Sequence, residues 1–327
     1  MRGQAGEFWD VIPILTFPRS GAMLKRRLGI PRSCGRGDPG KGQGHRGVRQ
    51  IAMIIDGHAH CAGVFYSAPS LRAKLDELGV DRVILCPSLR NDSRNVPLPF
   101  EKKQITTGSA VSFAGNRLLR LSGRILDASE GLSQRNDDVR SLSRKLPGRV
   151  VPFCWVEPRA EGMLDELDRR LGRDGFRGVK LHQPLSRFSC EGKAMDDLAA
   201  LTAARSAPVF IHLHSPTEVG RFRTWTHRHP QTQFIVAHLI GLEILAPYAS
   251  RLQNVAWDIS PAWGSTLERV QWAASVFGAE RLTLGSDTPF GRDTLRLNIE
   301  KVLKLTLSPA EKDLILGGNM ARLLNLA

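Results

Sequence analysis

Cysteine, long apolar runs and acidic charge are all scarce in this 327-residue chain, and each shortage excludes something. The five cysteines (Cys34, Cys61, Cys86, Cys154 and Cys190) contain no Cys-x-x-Cys pair, and an odd number argues against a closed disulfide framework. A reducing, cytoplasmic location is the expectation. No apolar run reaches the ~18–20 residues of a membrane helix, so no membrane partner is expected. The N-terminus lacks the basic, apolar and small-residue order of a secretory signal. No short-period repeat is present, which excludes a solenoid.

The acidic deficit is local. Lys and Arg number 46 against 32 Asp and Glu, a formal charge of +14. Residues 1–52 hold ten of the basic and three of the acidic residues, so +7 falls on this segment and +7 on the other 275 residues. The segment is rich in Gly and Arg (Lys25-Arg26-Arg27, then Pro31 to Arg49) and has no sustained period, the composition of a disordered extension. It reads as an arm attracted to nucleic acid or a membrane, as a targeting segment, or as non-native sequence upstream of a start at Met53. The third reading is preferred, because Met53-Ile54-Ile55-Asp56 opens a domain directly on a strand. Nucleic-acid binding through the tail is therefore the disfavoured alternative; it predicts steep salt dependence that vanishes when residues 1–52 are removed. The domain division is 1–52 as a disordered or non-native extension and 53–327 as one folded domain.

With 42% hydrophobic and 24% charged residues, the chain has the composition of a globular protein. From Met53 onward, short apolar runs alternate with helical patterns. The predicted strands are Ile54–Asp56, Val83–Cys86, Val150–Trp155, Gly178–His182, Pro208–His214, Gln233–Leu239, Val255–Asp258 and Leu282–Asp287. Helices are predicted over Ala68–Gly79, Met163–Leu171, Asp196–Arg205, Pro216–His229, Leu267–Phe277 and Asp293–Leu305, and one begins at Ser308-Pro309. Residues 88–133 break the rhythm with a polar, basic start and a helical stretch near Leu118–Leu126, long enough for a lid or substrate loop. Eight strands with intervening helices fit a single (β/α)8 TIM barrel. An open doubly wound sheet would want a Gly-rich first turn, and Gly57-His58-Ala59-His60-Cys61-Ala62-Gly63 is not one.

The candidate chemistry lies at the strand ends. His58 and His60 have matching parity and lean to one side of the backbone, Asp56 shares that parity, and Cys61 has the opposite one. His182, His212, His214 and His238 also fall at or near strand ends, and Asp287 ends the eighth. In a barrel these ends form one rim, which holds the active site. A single buried histidine is ordinary; five strands carrying ligand-type residues to one rim call for a metal. Either His212 or His214 suits the fifth-strand position, and the β-branched run before it favours His212. His227 and His229 sit at a helix C-terminus, where the dipole accounts for them. Arg90 and Arg94, after the second strand, are candidates for binding an anionic substrate. Trp155, Trp257, Trp263 and Phe290 are candidate pocket linings.

The runs Asp56-Gly57-His58-Ala59-His60, Gly178-Val179-Lys180-Leu181-His182, Pro208-Val209-Phe210-Ile211-His212, Phe234-Ile235-Val236-Ala237-His238, Gly285-Ser286-Asp287-Thr288-Pro289-Phe290 and Gly318-Asn319-Met320-Ala321-Arg322-Leu323-Leu324, in this order across 53–327, resemble the amidohydrolase superfamily. The resemblance is to the amidohydrolase-related group that includes enzymes of the aminocarboxymuconate-semialdehyde decarboxylase type. It implies one divalent metal, zinc by preference, on His58, His60, His212 and Asp287. It also implies that His238 stands beside an activated water and shares proton transfer with Asp287. Lys180 is either a carboxylated bridge between two metals or a charged group contacting substrate or Asp287, and the one-metal reading is preferred. His182, His214 and Asp56 are expected to touch substrate or to orient the ligands.

The activity implied is metal-dependent hydrolysis of a small polar or carboxylated molecule, with non-oxidative decarboxylation as the alternative. The expected partner is the small-molecule substrate. A homodimer is one expectation for an assembly the sequence leaves open.

Overall fold

The computed structural model describes residues 53–89, 92–96, 108–122 and 131–326. The extension 1–52, and with it every expectation about the basic tail, lies outside the described residues, as does Arg90.

Eight parallel strands form one sheet in sequence order: β1 Ile55–His60, β2 Arg82–Cys86, β3 Val150–Trp155, β4 Gly178–His182, β5 Val209–His212, β6 Phe234–Val236, β7 Val255–Asp258 and β8 Leu282–Thr283. Nearly every strand residue is buried, as parallel strands flanked by helices require. The sheet closes on itself. Gly57 donates to the Leu284 carbonyl at 2.8 Å, Ser286 and Asp287 donate to the His58 carbonyl at 3.1 and 2.8 Å, and His60 donates to the Thr288 carbonyl at 2.8 Å. This is the TIM barrel expected from the alternation. Ile55, Ile84, Phe153, Phe210, Ile235 and Ala256 pack in one buried cluster with Met320, Leu323 and Leu324.

Helices alternate with the strands: α1 Ala68–Leu78, α2 Ser109–Ser122, α3 Leu132–Lys145, α4 Met163–Gly172, α5 Lys193–Ala204, α6 Pro216–Arg228, α7 Leu267–Phe277, α8 Thr294–Lys304, α9 Pro309–Asp313 and α10 Asn319–Leu323. Ser67, Ser215, Thr266 and Ser308 accept from the backbone N–H three residues on and so start α1, α6, α7 and α9, and Glu311 completes a capping box with Ser308.

Three local expectations are revised. The sixth strand stops at Val236 because Ala237–Leu239 turns, with His238 at φ 59° and Leu239 at φ 53°. The eighth ends at Thr283, and Asp287 sits at φ 57°. An extended chain would carry both side chains past the barrel mouth, whereas these left-handed residues swing them over it. Within the long insertion, the helix begins nine residues earlier than the pattern suggests, at Ser109, and α3 follows it. No helix among the described residues is long and apolar enough to cross a membrane.

Candidate active site

Side chains from β1 and from the loop after β8 meet at one point. Nε2 of His58 lies 3.6 Å, and Nε2 of His60 3.5 Å, from Oδ1 of Asp287, and the three form a group able to hold a metal ion. The other ring nitrogens are committed. Nδ1 of His60 donates to the Pro87 carbonyl at 2.7 Å, leaving the Nε2 lone pair for the centre. Nδ1 of His58 faces Oδ2 of Asp258 at 3.2 Å and Oγ of Ser260 at 3.1 Å. Burial, then the charges of Lys180 and the neighbouring histidines, holds the His58 pKa well below its ordinary value. A neutral imidazole donating from Nδ1 carries its lone pair on Nε2, the ligating form.

Lys180 occupies the partner position on β4. Its Nζ is 2.8 Å from His58 Nε2 and lies over the Phe210 ring, 4.3 Å from its centroid. Burial lowers the Lys180 pKa, with Cys86, Asp287 and Asp258 opposing. Burial would raise that of Asp287, but His238, His60 and Lys180 outweigh it and keep the carboxylate ionised. His238 donates from Nδ1 to the Ser260 carbonyl at 2.8 Å and turns Nε2 toward Asp287 Oδ2, 4.0 Å away.

The remaining predicted residues fall into two groups. Asp56 is buried and accepts from the backbone of Ser286 at 2.8 Å and of His58 at 3.3 Å, tying β1 to the Asp287 loop. Its carboxyl is pushed up to about 7 by burial. His182 and His212 pair in register, their ring centroids 4.4 Å apart, and His182 stacks on Trp155. His212 is 4.9 Å from the His238 ring but is not among the residues grouped around Asp287, and its Nε2 is bonded to Asn116 Oδ1 at 2.8 Å. His214 offers its backbone carbonyl to Asn116 and its N–H to Gln183. Arg94 is two-thirds exposed and pairs with Asp92 at 3.5 Å. Phe290 lies 6.2 Å from the His60 ring, whereas Trp257 packs on Phe277. Cys61 supplies no thiolate, its pKa being pushed up to about 12 by burial.

Sequence reasoning passed over Asp258, Ser260 and Asn116. Asp258 ends β7, and the strand-end rule that picks out the histidines also covers it. Asp258 accepts from Ser260 Oγ at 2.5 Å and from the His238 backbone at 3.2 Å, so one buried carboxylate positions two histidines.

A model of the family described as amidohydrolase matches residues 123–326, more than half of the chain. The chain belongs to the amidohydrolase family. Members are metal-dependent enzymes, and the donor set of this amidohydrolase suits a divalent ion. The matched region starts after β1, so His58 and His60 stand outside it and join the site through the closure of the barrel. No curated protein matches in sequence.

Solved structures share the fold of this amidohydrolase. The 2,6-dihydroxybenzoate decarboxylase of Rhizobium is 14% identical with a TM-score of 0.61, covering 84% of this chain and 99% of its own. A dihydroxybenzoic acid decarboxylase of Polaromonas, solved with manganese and 2-nitroresorcinol, is 15% identical with a TM-score of 0.58 over 84% and 97%. The 4-oxalomesaconate hydratase of Rhodopseudomonas palustris is 14% identical with a TM-score of 0.53 over 84% and 96%.

Proposed function

We propose that this amidohydrolase is a metal-dependent carboxy-lyase that removes carbon dioxide from a small carboxylated molecule. The observation that carries the proposal is the convergence of His58 Nε2, His60 Nε2 and Asp287 Oδ1 beside the buried ammonium of Lys180. Two imidazoles and one carboxylate are a ligand set for Zn2+, with Mn2+ as the ion held by one structure of the same fold. A divalent metal bound there supplies positive charge that draws in a substrate carboxylate and takes up negative charge developing on the substrate.

The protein's own groups do the rest. Lys180 adds a cation to the barrel mouth, which favours an anionic substrate. His238 is placed to deliver the proton: its Nε2 faces the Asp287 carboxylate and its Nδ1 is fixed by the Ser260 carbonyl. As the bond to the carboxylate carbon breaks, its electron pair remains on the substrate carbon, which takes the proton from His238 as carbon dioxide departs. Asp258 keeps His58 in its ligating tautomer. His212 is a fourth ligand candidate, held one hydrogen bond away from that role by Asn116. His182, stacked on Trp155, lines the same mouth.

Hydrolysis is the second reading, favoured by the same His238–Asp287 pair, which suits a base acting on water. Metal analysis of the purified protein beside His58→Ala and Asp287→Ala tests the site; stoichiometric metal in both variants would sink it. Candidate acids incubated in 18O-labelled water separate the reactions. Carbon dioxide release with no label in the organic product supports the lyase, and labelled product with no carbon dioxide establishes the hydrolase.

A further inference from the structure

The side chain of Asn116 reaches from α2 into the active site, and its chemistry is fully determined. Nδ2 donates to the Leu213 carbonyl at 2.9 Å and to the His214 carbonyl at 3.2 Å. Only the amide NH2 can serve two carbonyls, so the remaining atom, Oδ1, is an acceptor 2.8 Å from His212 Nε2. His212 must therefore carry its proton on Nε2.

A metal takes an imidazole through a lone pair, and Nε2 of His212 has none while it donates to Asn116. The same nitrogen cannot serve both. We propose that Asn116 and the metal compete for Nε2 of His212, so that metal loading is coupled to release of α2 from the barrel mouth. This rests on the metal reading of the site given above.

The construction of α2 suits such a coupling. Ser109, Phe113 and Asn116 are buried at spacings of four and three, on one helix face. Ser109 fastens the N-terminus: its hydroxyl donates to Glu243 and accepts from the Gly241 backbone at 2.8 Å and from Arg269 at 3.2 Å. Asn116, two turns further on, holds the segment His212–His214, and beyond it the Arg120 carbonyl accepts from Arg187 at 3.0 Å. Release of Asn116 thus removes the tie at the middle of the helix while Ser109 and Arg120 hold it on either side.

The test uses the full chain stripped of metal and titrated with Zn2+ alone, with hydrogen exchange followed over residues 109–122. In the wild type, saturating Zn2+ is expected to speed exchange in this segment, and His212→Ala is expected to abolish that response. Asn116→Ala removes the competitor and is expected to bind Zn2+ roughly threefold to tenfold more tightly, the effect of one hydrogen bond. Zn2+ that binds the wild type without changing exchange over 109–122 overturns the proposal, as does unchanged affinity in Asn116→Ala. A wild type that binds no Zn2+ overturns the metal reading itself. The wild-type exchange measurement keeps the test decisive if the Asn116 variant fails to fold.

Discussion

Gly285 lies directly against Asp258: a Cβ on the glycine would stand 2.2 Å from Asp258 Oδ1, 3.0 Å from His58 Cβ and 3.1 Å from Ser260 Cβ. The glycine is the space in which the buried carboxylate sits. Gly285→Ala is expected to cost about 1–3 kcal/mol of stability, as overpacking does, and to weaken metal binding in parallel. Denaturant midpoints and chelator competition on the same preparations check this. Wild-type metal affinity in a destabilised variant would show that the contact serves packing alone.

Asp258 itself orients His58 from behind. Asp258→Ala is expected to lower metal affinity about 10- to 100-fold, the usual effect of losing the partner of a ligating histidine. Asp258→Asn, whose amide oxygen still accepts from Nδ1, is expected to recover part of that loss. The rescue separates orientation from simple packing, and equal affinities in all three proteins would refute the role.

Lys180 distinguishes one metal from two. Its ammonium shares His58 Nε2, so Lys180→Met is expected to retain one equivalent of metal and bind it at least as tightly, with carboxylate substrates losing affinity. Elemental analysis decides the matter. A variant that loses all metal would instead mark Lys180 as a carboxylated ligand.

Glu243 ties the α2 anchor to pH. Burial would raise its pKa, but bonds from Arg269 and Ser109 bring it down to about 2 from an ordinary value of 4.5. A carboxyl depressed in the folded state stabilises that state above its unfolded pKa, and the contribution disappears as pH falls through the folded value. The difference in melting temperature between wild type and Glu243→Gln is therefore expected to be constant above about pH 5 and to shrink toward pH 2. A constant difference throughout would show that this carboxylate contributes no linkage.

The barrel was readable because each strand is buried on both faces, so Val83–Cys86 or Val255–Asp258 appears as an unbroken apolar run with punctuation at either end. The meeting of His58, His60 and Asp287 was readable because the first and eighth strands lead to a common rim. Other features depend on geometry that spacing cannot carry. His238 and Asp287 leave the extended conformation where the pattern continues, and the two strands end before them, at Val236 and Thr283. Asn116 meets His212 across 96 residues, from a position ahead of the helical stretch that the pattern marks at Leu118–Leu126. Asp258 resembled any polar strand terminus until His58, 200 residues away, was placed beside it.

The first and last strands meet at the site, and this arrangement sets the order in which it can be assembled. His58 and His60 belong to the first segment of the barrel, whereas the backbone that positions them runs from Leu284 to Thr288. Such long-range pairing is slow to form, because a large loop must close before any contact is made. During synthesis the histidine pair is complete more than two hundred residues before Asp287 joins the chain. Metal affinity and closure of the barrel seam should consequently rise together, so the kinetics of metal capture during refolding would report when β1 and β8 dock.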